Sequence, residues 1–270
     1  MQTKQLNQMK SNITGSNLRS ASVIAASLLL MGAAVTQAAE PEAKKGWETT
    51  AAAGLTVTSG TKDTLLVTAG LNTSRKWDKD EAAFGISGGY GQDNNNVDKK
   101  NTPNTEFIQG FGQYNRLFTE RFYGGLRLDA TSDGIQDLAY RATLTPLAGY
   151  YLIKSTNTTL AIEVGPSLVT EQYNGEDNDI YLGIRFAERF EHQLTDSSKL
   201  WQSVSYVPQV DDWMGNYTVT FEAGIDTAIT KDKKWKLRVV FQDIYSESSS
   251  KPAGIENNEL RLIAGTAYTF

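Results

Sequence analysis

Apolar and polar residues alternate with a period of two along most of the chain beyond residue 46, the spacing that sends alternate side chains to opposite faces of a β-strand. The pattern predicts about twelve strands of roughly ten residues each. It is clearest over 121–131, 158–170, 180–190, 216–229, 235–245 and 258–270. In the second of these Leu160, Ile162, Val164 and Leu168 share one parity, and Ala161, Glu163, Gly165 and Ser167 the other. Weaker alternation marks 47–58, 64–75, 82–91, 105–117, 138–152 and 199–209.

The connections add a second rhythm. The even-numbered ones are compact and polar: Lys76–Asp80, Phe118–Glu120, Lys154–Asn157, Thr195–Ser198 and Thr230–Lys233. Most odd-numbered ones are longer or richer in acids and amides: Gln92–Pro103, Ser132–Asp137, Gln172–Asn178, Val210–Gly215 and Ser246–Glu256; the first, Ser59–Asp63, is short. Alternating long and short connections predict an up-and-down barrel with long loops at one end and short turns at the other.

Which face of such a barrel is wet depends on composition. The polar parity mixes charges with many small residues, including Gly110, Gly125, Gly149, Gly165, Gly224 and Gly265. Aromatics gather near segment ends, at Trp47, Phe122, Tyr151, Trp201, Trp213, Tyr217, Trp235 and Tyr245, as in the interfacial girdles of membrane barrels. The fold class expected is all-β, a transmembrane antiparallel up-and-down barrel of about twelve strands in a bacterial outer membrane, with apolar side chains facing lipid and charged ones facing a lumen.

The first 38 residues read as a cleavable export signal. Lys4, Lys10 and Arg19 are their only charges, the stretch Ala21–Val35 is small-residue and Leu-rich, and Thr36-Gln37-Ala38 supplies a small-x-small cleavage site. The expected organisation is a signal at 1–38, a short periplasmic segment at 39–46 and a barrel over 47–270. Removing the signal takes away three bases and no acid, so the formal charge of −5 becomes more negative. An acidic chain does not suit nucleic acid. There is no cysteine, which excludes disulfides, thiolate nucleophiles and cysteine metal sites.

The final strand, ending on Tyr268 and Phe270, resembles the signal by which barrel-assembly machinery recognises outer-membrane proteins. More of the chain resembles the salt-induced outer-membrane proteins of unknown function, a family of small bacterial barrels. The resemblance is carried by Trp47, Gly54 and the Thr58-Ser59-Gly60 turn, by Asp129, Asp137-Leu138, Arg141 and Gly149-Tyr150, by Glu163, Gly165 and Glu171, and by Asn258-Glu259 with the closing aromatics. Thr61 stands where the family's turn commonly continues with Asn. The resemblance implies an outer-membrane location and a response to salt or acid, with no established reaction. Expected partners are outer-membrane lipids, lipopolysaccharide and the assembly machinery; no cofactor or metal is expected.

The polar parity carries charges of both signs: Arg127, Arg141, Arg185, Arg189, Lys236, Arg238 and Arg261 against Asp129, Glu163, Glu222, Asp226 and Glu259. These residues either line an ion path or form a salt-bridge lattice filling the barrel. Strand number leaves both open, since about eight strands give a filled interior and about 16–18 a channel. Two other classes of function have a foothold. His192, the chain's single histidine, would be needed by a lipid-modifying enzyme with a Ser-His-acid site, but no Gly-x-Ser-x-Gly elbow accompanies it. Loops at 92–103, 172–178 and 246–256 would serve an adhesion or binding barrel. Acids at Glu176, Asp177, Asp179, Asp211 and Asp212 lack the spacing of an EF-hand and read as solvated loop residues.

Overall fold

A computed structural model of the chain describes residues 46–58, 62–95 and 100–270. The expected export signal, nearly all of the segment 39–46 and the Ser59-Gly60 turn lie outside the described residues.

Twelve strands form, in chain order β1 (Glu48–Thr58), β2 (Lys62–Lys76), β3 (Asp80–Asn95), β4 (Lys100–Leu117), β5 (Phe122–Asp133) and β6 (Leu138–Lys154), then β7 (Thr158–Tyr173), β8 (Asp179–Gln193), β9 (Ser198–Gln209), β10 (Asp212–Ala228), β11 (Trp235–Glu247) and β12 (Asn258–Thr269). Each pairs antiparallel with its sequence neighbours, and β1 pairs with β12 from Thr50↔Thr269 to Gly54↔Gly265, so the sheet closes on itself. All twelve segments read from the alternation are present.

The strands are longer than the roughly ten residues expected. Gln92–Asn95 extends β3, Lys100–Pro103 belongs to β4, Gln172 and Tyr173 end β7, and Asp212–Gly215 begin β10. Of the long connection expected at 210–215 only Val210 and Asp211 remain outside strands. Acids and amides there mark a wet environment, and backbone pairing continues through it. Two of these extensions pass irregularities: Asn104 of β4 is skipped between Gly91 and Gln92, a bulge that absorbs one unpaired residue without ending the ladder, whereas four residues of β10, Trp213 to Asn216, are skipped between Asp212 and Tyr217.

Burial alternates as the pattern requires, with the opposite sense to a soluble domain. Along β7 Ala161, Glu163, Gly165, Ser167, Val169 and Glu171 are buried, while Ile162, Val164, Pro166 and Leu168 are exposed. Leu237 is 51% exposed and Leu262 66%, whereas Glu163 is 4% exposed and Glu171 0%. Among the described residues no second layer packs outside the sheet, so a buried strand side chain is an inward one.

The outward aromatics fall into two groups. Near the even-numbered turns Trp47 meets Trp77 and Phe84, Phe118 meets Phe122, and Trp235, Tyr268 and Phe270 form a chain of ring contacts. Towards the other end Phe186, Tyr206, Trp213, Tyr217 and Tyr245 contact one another across β8 to β11. Tyr151 and Trp201 depart from the expected girdle. Both point inward, Tyr151 to donate its hydroxyl to Glu81 at 2.6 Å and Trp201 to lie against Gly224.

Candidate functional site

The inward charges of β4 to β8 meet at Glu163. Its carboxylate accepts from Arg185 Nη1 at 2.9 Å, from Gln113 Nε2 at 2.8 Å and from the Tyr123 hydroxyl at 2.9 Å, and forms an ion pair with Arg189 Nη2 at 2.9 Å. Gln113 passes the network on, accepting from Arg127 Nη1 at 2.8 Å, and Arg127 forks onto Asp129. Arg127 and Asp129 are two residues apart, so the strand period alone puts them on one face. Tyr123 reaches Glu163 by crossing Gly149, where an added Cβ would stand 2.2 Å from its ring. Below it lies a small buried cluster of Leu117, Tyr123, Leu147, Tyr151 and Ala161.

A second group joins β10, β11 and β12. Arg238 binds Asp226 through Nε and Nη2, both at 2.7 Å, a bidentate geometry suited to its planar fork. Gln242 donates to Glu222 at 2.9 Å and accepts from Arg261 at 2.9 Å. Arg261 also binds Glu259 at 2.7 Å, stacks over Phe107 and pairs with Asp133 of β5. β5 and β12 are five places apart in the ring, so this pair spans the interior. Glu222 and Asp226, four residues apart on β10, bind separate partners and share no proton.

A third group crosses near the long-loop end. Arg141 of β6 donates to Glu171 at 2.6 Å, to the Tyr173 hydroxyl at 3.0 Å and to Ser246 of β11 at 2.9 Å. The 248–257 connection turns inward over the mouth. Ser248 donates to Glu171, Ser250 to Asp179 and Lys251 Nζ to Gln136, Ser246 O, Glu256 O and Asn257.

The charges read from the pattern thus fall into three networks. Lys236 stands beside Arg238, with Asp226 and Glu48 as nearby acids. The pattern missed Glu81, Asp133 and Glu171, which stand at or beyond the ends of the predicted strands. Extending the parity of each strand by one or two steps would have found them. It also missed Gln113 and Gln242, neutral residues that connect one ion pair to the next.

The opposite wall is different. Inward positions on β1, β2 and β3 include Thr50, Ala52, Gly54, Thr68, Gly70, Asn72, Gly85, Ser87 and Gly89, with Leu66 and Glu81 towards the two ends, read from the register with β12. Asn72 is inward and exposed, so space remains along this side.

His192 lies on the outward parity near a short turn. Its Nδ1 is 2.8 Å from the Thr158 hydroxyl and its ring stacks on Phe190. Asp212 accepts from the Gly215 N–H at 2.9 Å, and Asp211 from Gln209. Among the described residues no three His, Asp or Glu side chains converge as metal ligands.

Fold and interior together define a closed twelve-strand antiparallel barrel built inside out, with ion pairs within and apolar residues without. Residues 51–270 match the family described as "Protein of unknown function, DUF481", and the chain belongs to that family. That description carries no salt-induced label. No curated protein matches the sequence. Among solved structures, the chain is similar to the translocator domain of autotransporter NalP from Neisseria meningitidis, at 13% identity over 85% of this chain and 90% of that one, with a TM-score of 0.42. It is also similar to the NanC porin, at 8% identity over 82% and 96% with a TM-score of 0.44. The KdgM porin matches at 11% identity over 83% and 99%, with a TM-score of 0.41.

Proposed function

We propose that the protein is a non-catalytic integral barrel of the bacterial outer membrane, a structural component whose bridged lumen leaves one narrow aqueous route. The observation that carries this reading is the inverted burial. Exposed Leu237 and Leu262 make sense against acyl chains, and a closed sheet pairs the backbone groups along its ladders that lipid would leave unsatisfied. Residues Arg127, Asp129, Arg141, Glu163, Arg185, Arg189, Glu222, Asp226, Lys236, Arg238, Glu259 and Arg261 line the lumen in this reading. The route runs along the small-residue wall of β1 to β3, opposite the networks of β4 to β8. Glu81, Asp133 and Glu171 bring the two signs close to balance, which favours weak ion selectivity.

Outer-membrane lipids and lipopolysaccharide are the surrounding partners in this account, and β12, with Tyr268 and Phe270 outward, is the strand the assembly machinery reads. A role in salt or osmotic stress rests on the resemblance given above, and growth of a deletion strain at raised salt tests it.

Planar-bilayer recording of the purified barrel tests the channel. We expect small, weakly selective steps that enlarge in the double variant Glu163→Ala/Arg185→Ala, which removes the bulk facing the route. Silence from folded protein in both forms would leave only the structural role.

A further inference from the structure

The outward face of β1 to β3 is apolar or hydroxyl-bearing from Thr49 to Leu55, Leu65 to Thr73 and Ala82 to Tyr90, and a single charge stands at its short-turn end. Arg75 falls on the outward parity of β2, two residues beyond Thr73, and its guanidinium carbon lies 4.9 Å from the centre of the Trp77 ring. Among the described residues its side chain makes no hydrogen bond and no ion pair. The Nε–H is shut off from the surroundings without an acceptor, whereas both Nη groups reach the surface unpaired. Of the acids at the β2–β3 turn, Asp80 is held by Tyr114 and Arg116 and Glu81 by Tyr151 and Lys76, and Asp78 forms no ion pair with Arg75.

A cation without a counter-ion at the edge of an apolar face is costly unless something outside the chain answers it. The groups around it are donors as well. Thr49 and Thr73 join their hydroxyls in one hydrogen bond of 2.8 Å, which uses one of their two protons and leaves the other free to donate. Neither indole N–H, of Trp47 or of Trp77, is hydrogen-bonded among the described residues. Trp47 packs edge-on against Trp77 at 5.9 Å, with Phe84 on its other side, so an aromatic wall fixes where the guanidinium stands. The patch is positively charged, rich in donors and held in place by rings rather than by an acid.

We propose that Arg75, with Thr49, Thr73 and Trp77, seats the phosphate of a glycerophospholipid at the short-turn rim. The site rests on the membrane reading given above. Three observations select this ligand. The planar guanidinium offers both Nη groups to the oxygens of a phosphodiester, the geometry in which Arg binds phosphate best. The depth is that of a head group, because Trp47 and Trp77 belong to the aromatic girdle that marks a membrane–water boundary. Next to the site, towards the middle of the barrel, Leu71, Phe84 and Ile86 are exposed and form an apolar track for acyl chains. A free inorganic phosphate would satisfy the first of these observations and leave the track bare.

The test uses the intact protein, inserted into lipid nanodiscs and then released into detergent for native mass spectrometry. Phosphatidylglycerol, phosphatidylethanolamine, diacylglycerol or inorganic phosphate is added. Both phospholipids should form saturable adducts, and diacylglycerol, which lacks the phosphate, should bind about tenfold more weakly, the share of one charge-assisted contact. Arg75→Gln should weaken phospholipid binding by the same factor. Arg75→Lys keeps the charge without the fork and should recover only part of the loss. Where Arg75→Gln does not fold, Trp77→Leu, which removes the ring beneath the guanidinium, should also weaken binding. Arg121→Gln, which removes an exposed arginine of the next short turn, should leave it unchanged. Diacylglycerol that binds as well as the phospholipids, Arg75 and Trp77 variants that bind like the parent, an equal loss in Arg121→Gln, or full displacement of lipid by inorganic phosphate each overturns the site while leaving the membrane reading standing. Failure of the folded protein to enter nanodiscs overturns both.

Discussion

Glu163 concentrates the chemistry of the interior in one side chain. It has two guanidinium partners, an amide and a phenol, and almost no contact with solvent. Removing one member of a buried ion pair costs about 3–5 kcal/mol, because the charges left behind stay desolvated. Glu163→Gln should therefore lower stability by about that amount in equilibrium urea unfolding in lipid. The alternation placed Glu163, Arg185 and Arg189 on polar faces. It did not say that they would meet, because pairing across strands depends on register, and period two is silent about register. The route from Gln113 to Arg127 was still less legible. Amides score as ordinary polar residues, and their bridging role exists only once strands four and seven face the same space.

At the scale of elements the sequence was most informative where one face meets lipid, as in β7 and β11, whose outward positions are apolar almost without break. It misled at the long-loop ends, where polar composition concealed continued pairing in β3 and β4 and an extended start to β10. Aromatic identity also proved weaker than parity, since Trp201 and Tyr151 follow their strand's inward face rather than the girdle. The turns carry their own signature. Between β10 and β11, Asp232 accepts from the Thr230 hydroxyl at 2.5 Å and from the Lys234 N–H at 3.2 Å. The Thr230 hydroxyl chiefly, then the Lys234 N–H, hold its carboxyl below the ordinary value of 3.8. A lowered folded pKa means that the contribution is present above pH 3.8 and is lost as pH falls through the folded value. Amide exchange at Lys234 should accelerate, relative to the intrinsic rate, as pH drops below 3.8, and Asp232→Asn should remove that dependence.

For the whole molecule, position of the charges predicts their response to salt. Pairs held inside a closed sheet are screened much less than exposed ones. Raising NaCl from about 0.1 M to about 1 M shortens the Debye length from about 10 Å to about 3 Å, yet the melting temperature of the lipid-embedded protein should barely move. The exposed rim pair Lys199–Glu191, at 3.2 Å, should show its coupling in a double-mutant cycle at low salt and lose it at high salt. A marked drop in melting temperature with salt would mean that the interior pairs are wet.

Arg261 with Asp133, and Arg141 with Ser246, tie walls that stand almost opposite each other in the ring. They act as spokes. A hollow cylinder squeezed from the side flattens into an oval, but one with cross-ties transmits the load to its far rim, so this protein should keep a round section under lateral pressure from the bilayer.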